Sequence, residues 1–289
     1  MIVSIIGLGL IGGSLALDLR SNGFASRLIG VDLKEEHQEQ AIELGLVDEI
    51  MEWKDACKIA DILILTVPVS AILKQLPKAL DLIKEDALVM DMGSTKSEIQ
   101  QSISGHPKRN RAVLAHPMAG TEYSGPKAAI HNLFHRKVAI ICDPKESDKD
   151  ALDLAERLLK SLFMRIIYMD AQEHDIHAAY VSHVSHISSF VLALTVLEKE
   201  KSEANIFNMA SGGFASTVRL AKSSPKMWRD VYEQNADNLI DVLEIYIKKM
   251  QGFKALIESG EFDKTAELMQ EANEIGRILK ETPHLMKYS

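Results

Sequence analysis

The chain has 289 residues, enough for one large or two ordinary domains with a substantial core in each. It is 46% hydrophobic and 26% charged, as soluble globular proteins are, and its net charge of −8 argues against a nucleic-acid partner, which selects a basic surface. Two cysteines, Cys57 and Cys142, are too few for a disulfide framework and read as reduced thiols of a cytoplasmic protein.

The first residues show no basic leader and no small-residue cleavage site, so no signal peptide is expected. Ile2 to Ile6 is a short apolar run of the kind that forms a central parallel strand. It ends in Gly7-Leu8-Gly9-Leu10-Ile11-Gly12-Gly13-Ser14, after which Leu15 to Arg20 continues as a helix. A G-x-G-x-x-G that follows a strand and opens a helix is the dinucleotide fingerprint. Gly7 permits the turn, Gly9 lets the backbone approach a pyrophosphate, and Gly12 allows the helix to pack closely on the strand. A second strand, Arg27 to Val31, ends in Asp32, placed to accept a hydrogen bond from a ribose 2′-hydroxyl and to repel a 2′-phosphate. NAD is therefore the expected cofactor.

Helical and strand patterns then alternate. Glu36 to Leu44 and Ala71 to Ile83 read as helices, and Asp61 to Val67 and Ala87 to Asp91 as strands, which implies βαβ units and a parallel sheet. The run Ile62 to Val69 is too short to cross a bilayer and nothing longer appears, so no membrane span is expected. Val67 and Pro68 follow the strand at a carboxyl end, where a cofactor lies in such sheets. Asp91 leads into Met92-Gly93-Ser94-Thr95-Lys96. Ser94 could bridge a histidine and a substrate hydroxyl, or could cap the following helix. Ala112 to Leu114 reads as a strand, with His116 at its carboxyl end before a turn-forming segment holding Pro117 and Gly120. An imidazole there is readily poised as a proton acceptor near neutral pH. Lys137 to Cys142 and Arg165 to Tyr168 read as the last strands, with a helix from Asp150 to Ser161 between them.

From about residue 170 only long helical patterns remain. The expected organisation is an α/β dinucleotide-binding domain of Rossmann type over residues 1–170 and an all-helical domain over 171–289. The helix from about Gln172 to Lys199 holds His174, His177, His183 and His186. At about 100° per residue the first pair and the second face roughly opposite sides, and one i, i+3 pair supplies only two ligands, so no metal site is expected. A loop rich in small residues, Ala210 to Ser216, precedes Arg219. An arginine inside an otherwise apolar helical face is expected to meet an anion, either a ligand carboxylate or an internal acidic residue.

In order, the motifs are G-L-G-L-I-G-G-S at Gly7 to Ser14, M-G-S-T-K at Met92 to Lys96, and H-P-M-A-G-T-E at His116 to Glu122. S-H-V-S-H at Ser182 to His186, S-G-G-F and R-L-A within Ser211 to Ala221, and P-K-M-W-R-D at Pro225 to Asp230 complete the set. Together they resemble the TyrA family of prephenate and arogenate dehydrogenases over nearly the full length. The resemblance implies NAD-dependent oxidative decarboxylation of prephenate to 4-hydroxyphenylpyruvate in tyrosine biosynthesis, with the arogenate (cyclohexadienyl) reaction as the alternative. It implies that His116 accepts the proton of the substrate hydroxyl and that Ser94 orients that hydroxyl. It also implies that His186 and Arg219 hold the pyruvyl side chain and carboxylate, while Gly120, Thr121 and Glu122 shape the pocket. Leu8, Leu10 and Ile11 would line the cofactor turn. Some relatives carry a Lys-Asp pair where this chain has Ala215-Ser216, so one electrostatic contact near the pocket is expected to be missing. Neither an appended regulatory domain nor a preceding chorismate mutase domain is expected. The apolar faces of the helical half imply a homodimer. A protein that binds NAD(H) without turnover is the rival from another class.

Overall fold

The computed structural model describes residues 1–201 and 205–281. They form a compact unit, Met1–Ala236, and a second that begins at Asp237. In the first unit eight strands make one sheet: β1 (Ile2–Ile6), β2 (Arg27–Val31), β3 (Glu49–Ile50), β4 (Ile62–Leu65), β5 (Leu88–Asp91), β6 (Ala112–Pro117), β7 (Val138–Cys142) and β8 (Arg165–Met169). Their order is β3-β2-β1-β4-β5-β6-β7-β8. Every neighbouring pair is parallel except β6 and β7. The exception has a simple origin. Parallel neighbours need a crossover, usually a helix, whereas β6 returns to β7 through a loop with only a short 3₁₀ turn, Pro126–Ala128.

The helices between strands are α1 (Leu10–Ser21), α2 (Glu35–Glu43), α3 (Trp53–Ile59), α4 (Val69–Leu82), α5 (Ser97–Ile103) and α6 (Lys149–Ser161). They cover both faces of the sheet, which explains why its central strands show no polar alternation. In β4, Ile62 and Ile64 pack into the core on one face, while Leu63 and Leu65 pack into the core on the other. The seven-residue α3 and the two-residue β3 escape the sequence reading, and α5 is expected only as a helix of unstated bounds after Ser94, because each is too short for hydrophobic periodicity to define it.

After β8 no strand follows among the described residues, yet the compact unit runs on through α7 (Ala171–Ala178), α8 (Val184–Glu200), α9 (Gly212–Thr217) and α10 (Pro225–Gln234). A π-helical turn, Ala179–His183, joins α7 to α8. Contrary to the reading that nothing longer than Ile62 to Val69 is apolar enough, the helical stretch Ala171–Glu200 contains an 18-residue window of mean hydropathy 1.4, which by length and composition alone is enough to cross a membrane. Scattered histidines and serines had broken up its apolar character in the sequence. The second unit holds most of α11 (Ala236–Glu258), then α12 (Phe262–Ala272) and α13 (Glu274–Glu281). Residues 282–289 of the expected helical domain lie outside those described.

Candidate active site

The carboxyl ends of β1, β4, β5 and β6 share one rim of the sheet. At β1 the chain turns through Gly7, whose φ of +98° is left-handed backbone that an L side chain resists. The Thr66 hydroxyl pins this turn by donating to Gly7 O at 2.6 Å. A Cβ on Gly12 would stand 2.0 Å from Gly7 O, so helix and strand approach as closely as glycine alone allows. A Cβ on Gly9 would meet nothing within 4 Å, which leaves open space at the start of α1. Gly9 caps that helix without any side-chain hydrogen bond. Its first-turn N–H groups are therefore directed at whatever occupies the space. Leu8 is fully buried beneath the turn, Leu10 nearly so, and Ile11 partly.

Asp32, just past β2, accepts from Leu8 N at 2.9 Å through Oδ2 and from Lys34 N at 3.0 Å through Oδ1. His37 Nδ1 lies 3.3 Å from Oδ2. Val67 and Pro68 leave β4 at the same rim, with Pro68 capping α4. This cradle fits a dinucleotide: a glycine turn, an open helix N-terminus and a carboxylate at the end of the next strand.

His116 is the last residue but one of β6 and is partly exposed. Its Nδ1 stands 2.8 Å from Nε2 of His174 on α7, and the two rings meet edge to face. His174 Nδ1 in turn lies 2.8 Å from Asp175 Oδ1. Both residues are 1% exposed. Asp175 also takes the Lys96 and Ser97 N–H groups, each at 2.8 Å, and so caps the start of α5 from a distant helix. Ser94 therefore does not cap α5; it stands partly buried on the rim. Lys96 and Asp91 form an ion pair with both side chains fully buried. Burial holds His116 well below its ordinary pKa, and the neighbouring His174, Lys96 and His183 add to the depression.

His183 and His186 approach from the helical side and share Trp228 of α10. The His186 ring lies 3.8 Å from the Trp228 ring, tilted by 34°, and His183 meets it edge to face. His186 donates from Nδ1 to Ser182 O at 2.9 Å, which leaves Nε2 for a ligand. Asn235 donates to His183 Nδ1 at 3.2 Å and to Asp175 O at 2.8 Å. Burial pushes His183 down to about 4, so it is neutral. Burial also lowers His186, and the charge of Arg219 contributes.

Two sequence expectations need correction. Arg219 lies not in a buried apolar helical face but in a 3₁₀ turn, Arg219–Lys222, with its side chain 56% exposed. Its NH1 is 4.0 Å from Glu122 Oε2, an acidic neighbour supplied by the loop after β6. The second correction concerns the four histidines. His174 and His183 are both buried and His177 is exposed, so they do not divide into two sequential pairs. Among the described residues no cluster of metal-ligating side chains occurs. Gly120 and Thr121 are exposed in the loop beside Glu122, where the Thr121 hydroxyl accepts from Tyr123 N at 3.2 Å.

The sequence reading missed His174, Asp175, Lys96, Trp228 and Asn235 as members of this cluster. One signal was available. Asp91 ends an otherwise apolar strand, and a carboxylate there needs a countercharge nearby.

A doubly wound nucleotide-binding sheet whose rim gathers a largely buried imidazole, a serine and residues of a following helical segment is the arrangement of a nicotinamide-dependent dehydrogenase. Comparison with known proteins narrows that class. Residues 15–168 match the family model for the prephenate dehydrogenase nucleotide-binding domain, and residues 170–271 match that for the prephenate dehydrogenase dimerization domain. The chain is 31% identical to the prephenate dehydrogenase of Bacillus subtilis over 89% of its own length and 70% of that protein's. It is 29% identical to the cyclohexadienyl dehydrogenase of Zymomonas mobilis over 98% of its length and 97% of that protein's. Among solved structures it is similar to the Aquifex aeolicus prephenate dehydrogenase in complex with hydroxyphenyl propionate and NAD+. The TM-score is 0.87 and the identity 32%, covering 96% of this chain and 97% of that one. The chain belongs to the prephenate dehydrogenase family.

Proposed function

We propose that this chain binds NAD⁺ in the Gly7–Gly12 cradle and oxidatively decarboxylates prephenate, with His116 and Ser94 at the reacting hydroxyl and His186 and Arg219 at the side chain. The observation that carries the reading is the position of His116. It stands at the carboxyl end of a strand on the rim that bears the cradle, and burial keeps it neutral. The chemistry NAD⁺ supplies when bound is acceptance of hydride from the ring carbon that carries the hydroxyl.

The protein's own residues do the rest. His116 takes the hydroxyl proton, which relieves positive charge as that oxygen becomes a carbonyl, and Ser94 orients the hydroxyl. Electrons from the breaking bond between ring and carboxylate then enter the ring, carbon dioxide leaves, and the oxygen regains a proton as the ring becomes aromatic. Aromatisation supplies the driving force, so alignment is the main task left to the site. His186 is oriented by Ser182 O and Trp228 and offers Nε2 to the substrate side chain. The exposed Arg219 fork can exchange its long contact with Glu122 for a substrate carboxylate. On this reading Gly120, Thr121 and Glu122, in the loop that meets Arg219, shape the pocket.

The test is nicotinamide reduction on adding prephenate to the protein and NAD⁺, repeated with His116→Asn. That substitution should lower kcat by at least about 10²-fold, the lower end of what a positioned base contributes, with NAD⁺ affinity little changed. Turnover like that of the unaltered protein would remove His116 from the mechanism. The relationship to a cyclohexadienyl dehydrogenase favours a second reading, in which arogenate is also a substrate. Side-by-side kcat/KM values for the two substrates decide between them. Failure to reduce NAD⁺ with either would leave only a dinucleotide-binding protein.

We further propose a division of labour near residue 170, cofactor before it and substrate after it, and a cytoplasmic homodimer. Support for the dimer comes from exposed apolar side chains such as Val191 and Leu194 on α8 and Ile247 and Met250 on α11, within the segment matching the family's dimerization domain. The two buried, unpaired cysteines suit a reducing compartment.

A further inference from the structure

His174 stands between an imidazole and a carboxylate, and a neutral ring can donate from only one of its two nitrogens. The carboxylate side is fixed. Burial alone would raise Asp175, but its bonds from His174 and the Ser97 N–H hold it below the usual carboxylate range, so it is ionised and can only accept. Burial keeps His174 neutral. Its single ring proton therefore lies on Nδ1, pointing at Asp175 Oδ1, and its Nε2 is a lone pair. The 2.8 Å contact from that Nε2 to His116 Nδ1 is then a hydrogen bond only if His116 carries its own proton on Nδ1. What remains on His116 is an unprotonated Nε2.

We propose that His174 and Asp175 are positioning residues that hold His116 as its Nδ1–H tautomer, so that the Nε2 lone pair meets the substrate hydroxyl. The inference rests on the reading of His116 as proton acceptor. Without this pair no hydrogen bond to the His116 ring among the described residues selects the tautomer. With the opposite one, Nε2 bears a hydrogen and cannot take the hydroxyl proton. The chain of contacts is anchored at its far end by the start of α5, through Lys96 N and Ser97 N, and by Asn235 on the Asp175 carbonyl. Asp175 therefore cannot swing away without uncapping a helix.

The test pairs His174→Leu with His174→Gln, whose side-chain amide offers one donor and one acceptor as the neutral ring does. With prephenate, the leucine variant should lose about 10²-fold in kcat at nearly unchanged KM, and the glutamine variant should recover most of it. In protein labelled with ¹⁵N-histidine, the resonances of His116 are those that vanish in His116→Asn. They should show Nδ1 protonated and Nε2 bare in the unaltered protein, with the Nε2–H form appearing in His174→Leu. A protonated Nε2 in the unaltered protein overturns the proposal at once, even if the leucine variant fails to fold. So does a leucine variant with unchanged tautomer and kcat. If His116→Asn itself retains turnover, the acceptor reading has failed instead, whatever the tautomer.

Discussion

Replacing Lys96 by methionine isolates the buried ion pair beneath the site. Lys96 and Asp91 have fully buried side chains, and the Lys96 ammonium meets Asp91 Oδ2 directly. Methionine keeps most of the stem and removes the charge. Asp91 would then retain the Gly93 N–H, at 2.7 Å, as its remaining hydrogen bond among the described residues. Burial already raises the Asp91 pKa, with Lys96 the chief opposing influence, so the orphaned carboxyl must take up a proton or remain an unpaired charge. Breaking a buried pair from one side costs about 3–5 kcal/mol. For a cooperative unit of this size that is a fall in Tm of about 6–20 °C. Adding Asp91→Asn should restore most of the loss, because the amide oxygen still accepts from Gly93 and no lone charge remains. Both tryptophans, Trp53 and Trp228, lie in the first compact unit, so urea unfolding followed by their fluorescence reports the relevant transition. A single variant within about 1 kcal/mol of the unaltered protein would refute the reasoning, as would a double variant no more stable than the single one. There is a kinetic counterpart. Lys96 is one of the charges that depress His116, so the acid limb of kcat/KM should move toward neutral pH in Lys96→Met.

In the unaltered protein that limb should lie well below pH 6.5: in the proposed mechanism the neutral ring is the acceptor, its folded pKa is lowered by burial, and activity is lost only as pH falls through that lowered value. A limb centred at or above 6.5 would show that the ring is not shielded as described. Arg219→Ala should raise the KM for prephenate by about 10-fold or more, the worth of a charged hydrogen bond, while changing kcat less. An unchanged KM would confine Arg219 to its contact with Glu122. Gly12→Ala places a Cβ 2.0 Å from Gly7 O and 2.6 Å from the Thr66 hydroxyl. It should destabilise the fold by about 1–3 kcal/mol and weaken NAD⁺ binding in a calorimetric titration; an unaltered Kd would show that the turn is not part of the cradle.

Most of the sheet was legible because its central strands are buried on both faces and therefore appear as apolar runs. β1 and β2 can be read residue for residue, Ile2–Ile6 and Arg27–Val31. What resisted reading was local in a different sense. β3 has two residues and takes its identity from pairing with β2, a tertiary property. The turn back from β6 to β7 is set by the lack of a crossover helix, which composition does not display directly. At the site, His116 was visible because a strand and a turn bracket it. Arg219 was misjudged because a 3₁₀ turn breaks the helical periodicity assumed around it, and the periodicity, not the residue, supplied the expectation of burial.

The histidines of α7 and α8 show why the partners of His116 stayed hidden. From His174 to His183 is nine residues, which at about 100° each leaves the two on opposite sides of a regular α-helix. The Ala179–His183 π turn accommodates an extra residue and so retards the helix by about one step of 100°. That brings His183 round to within about 80° of His174. Both side chains can then be buried: His174 reaches His116, and His183 sits against Trp228 and Asn235. His186, three residues on, stays on the Trp228 side with its Nε2 available. A regular helix would have to give up either the Asp175–His174–His116 chain or the seating of His183 and His186 on Trp228. The π turn reconciles them, and it carries no composition of its own by which a sequence could announce it.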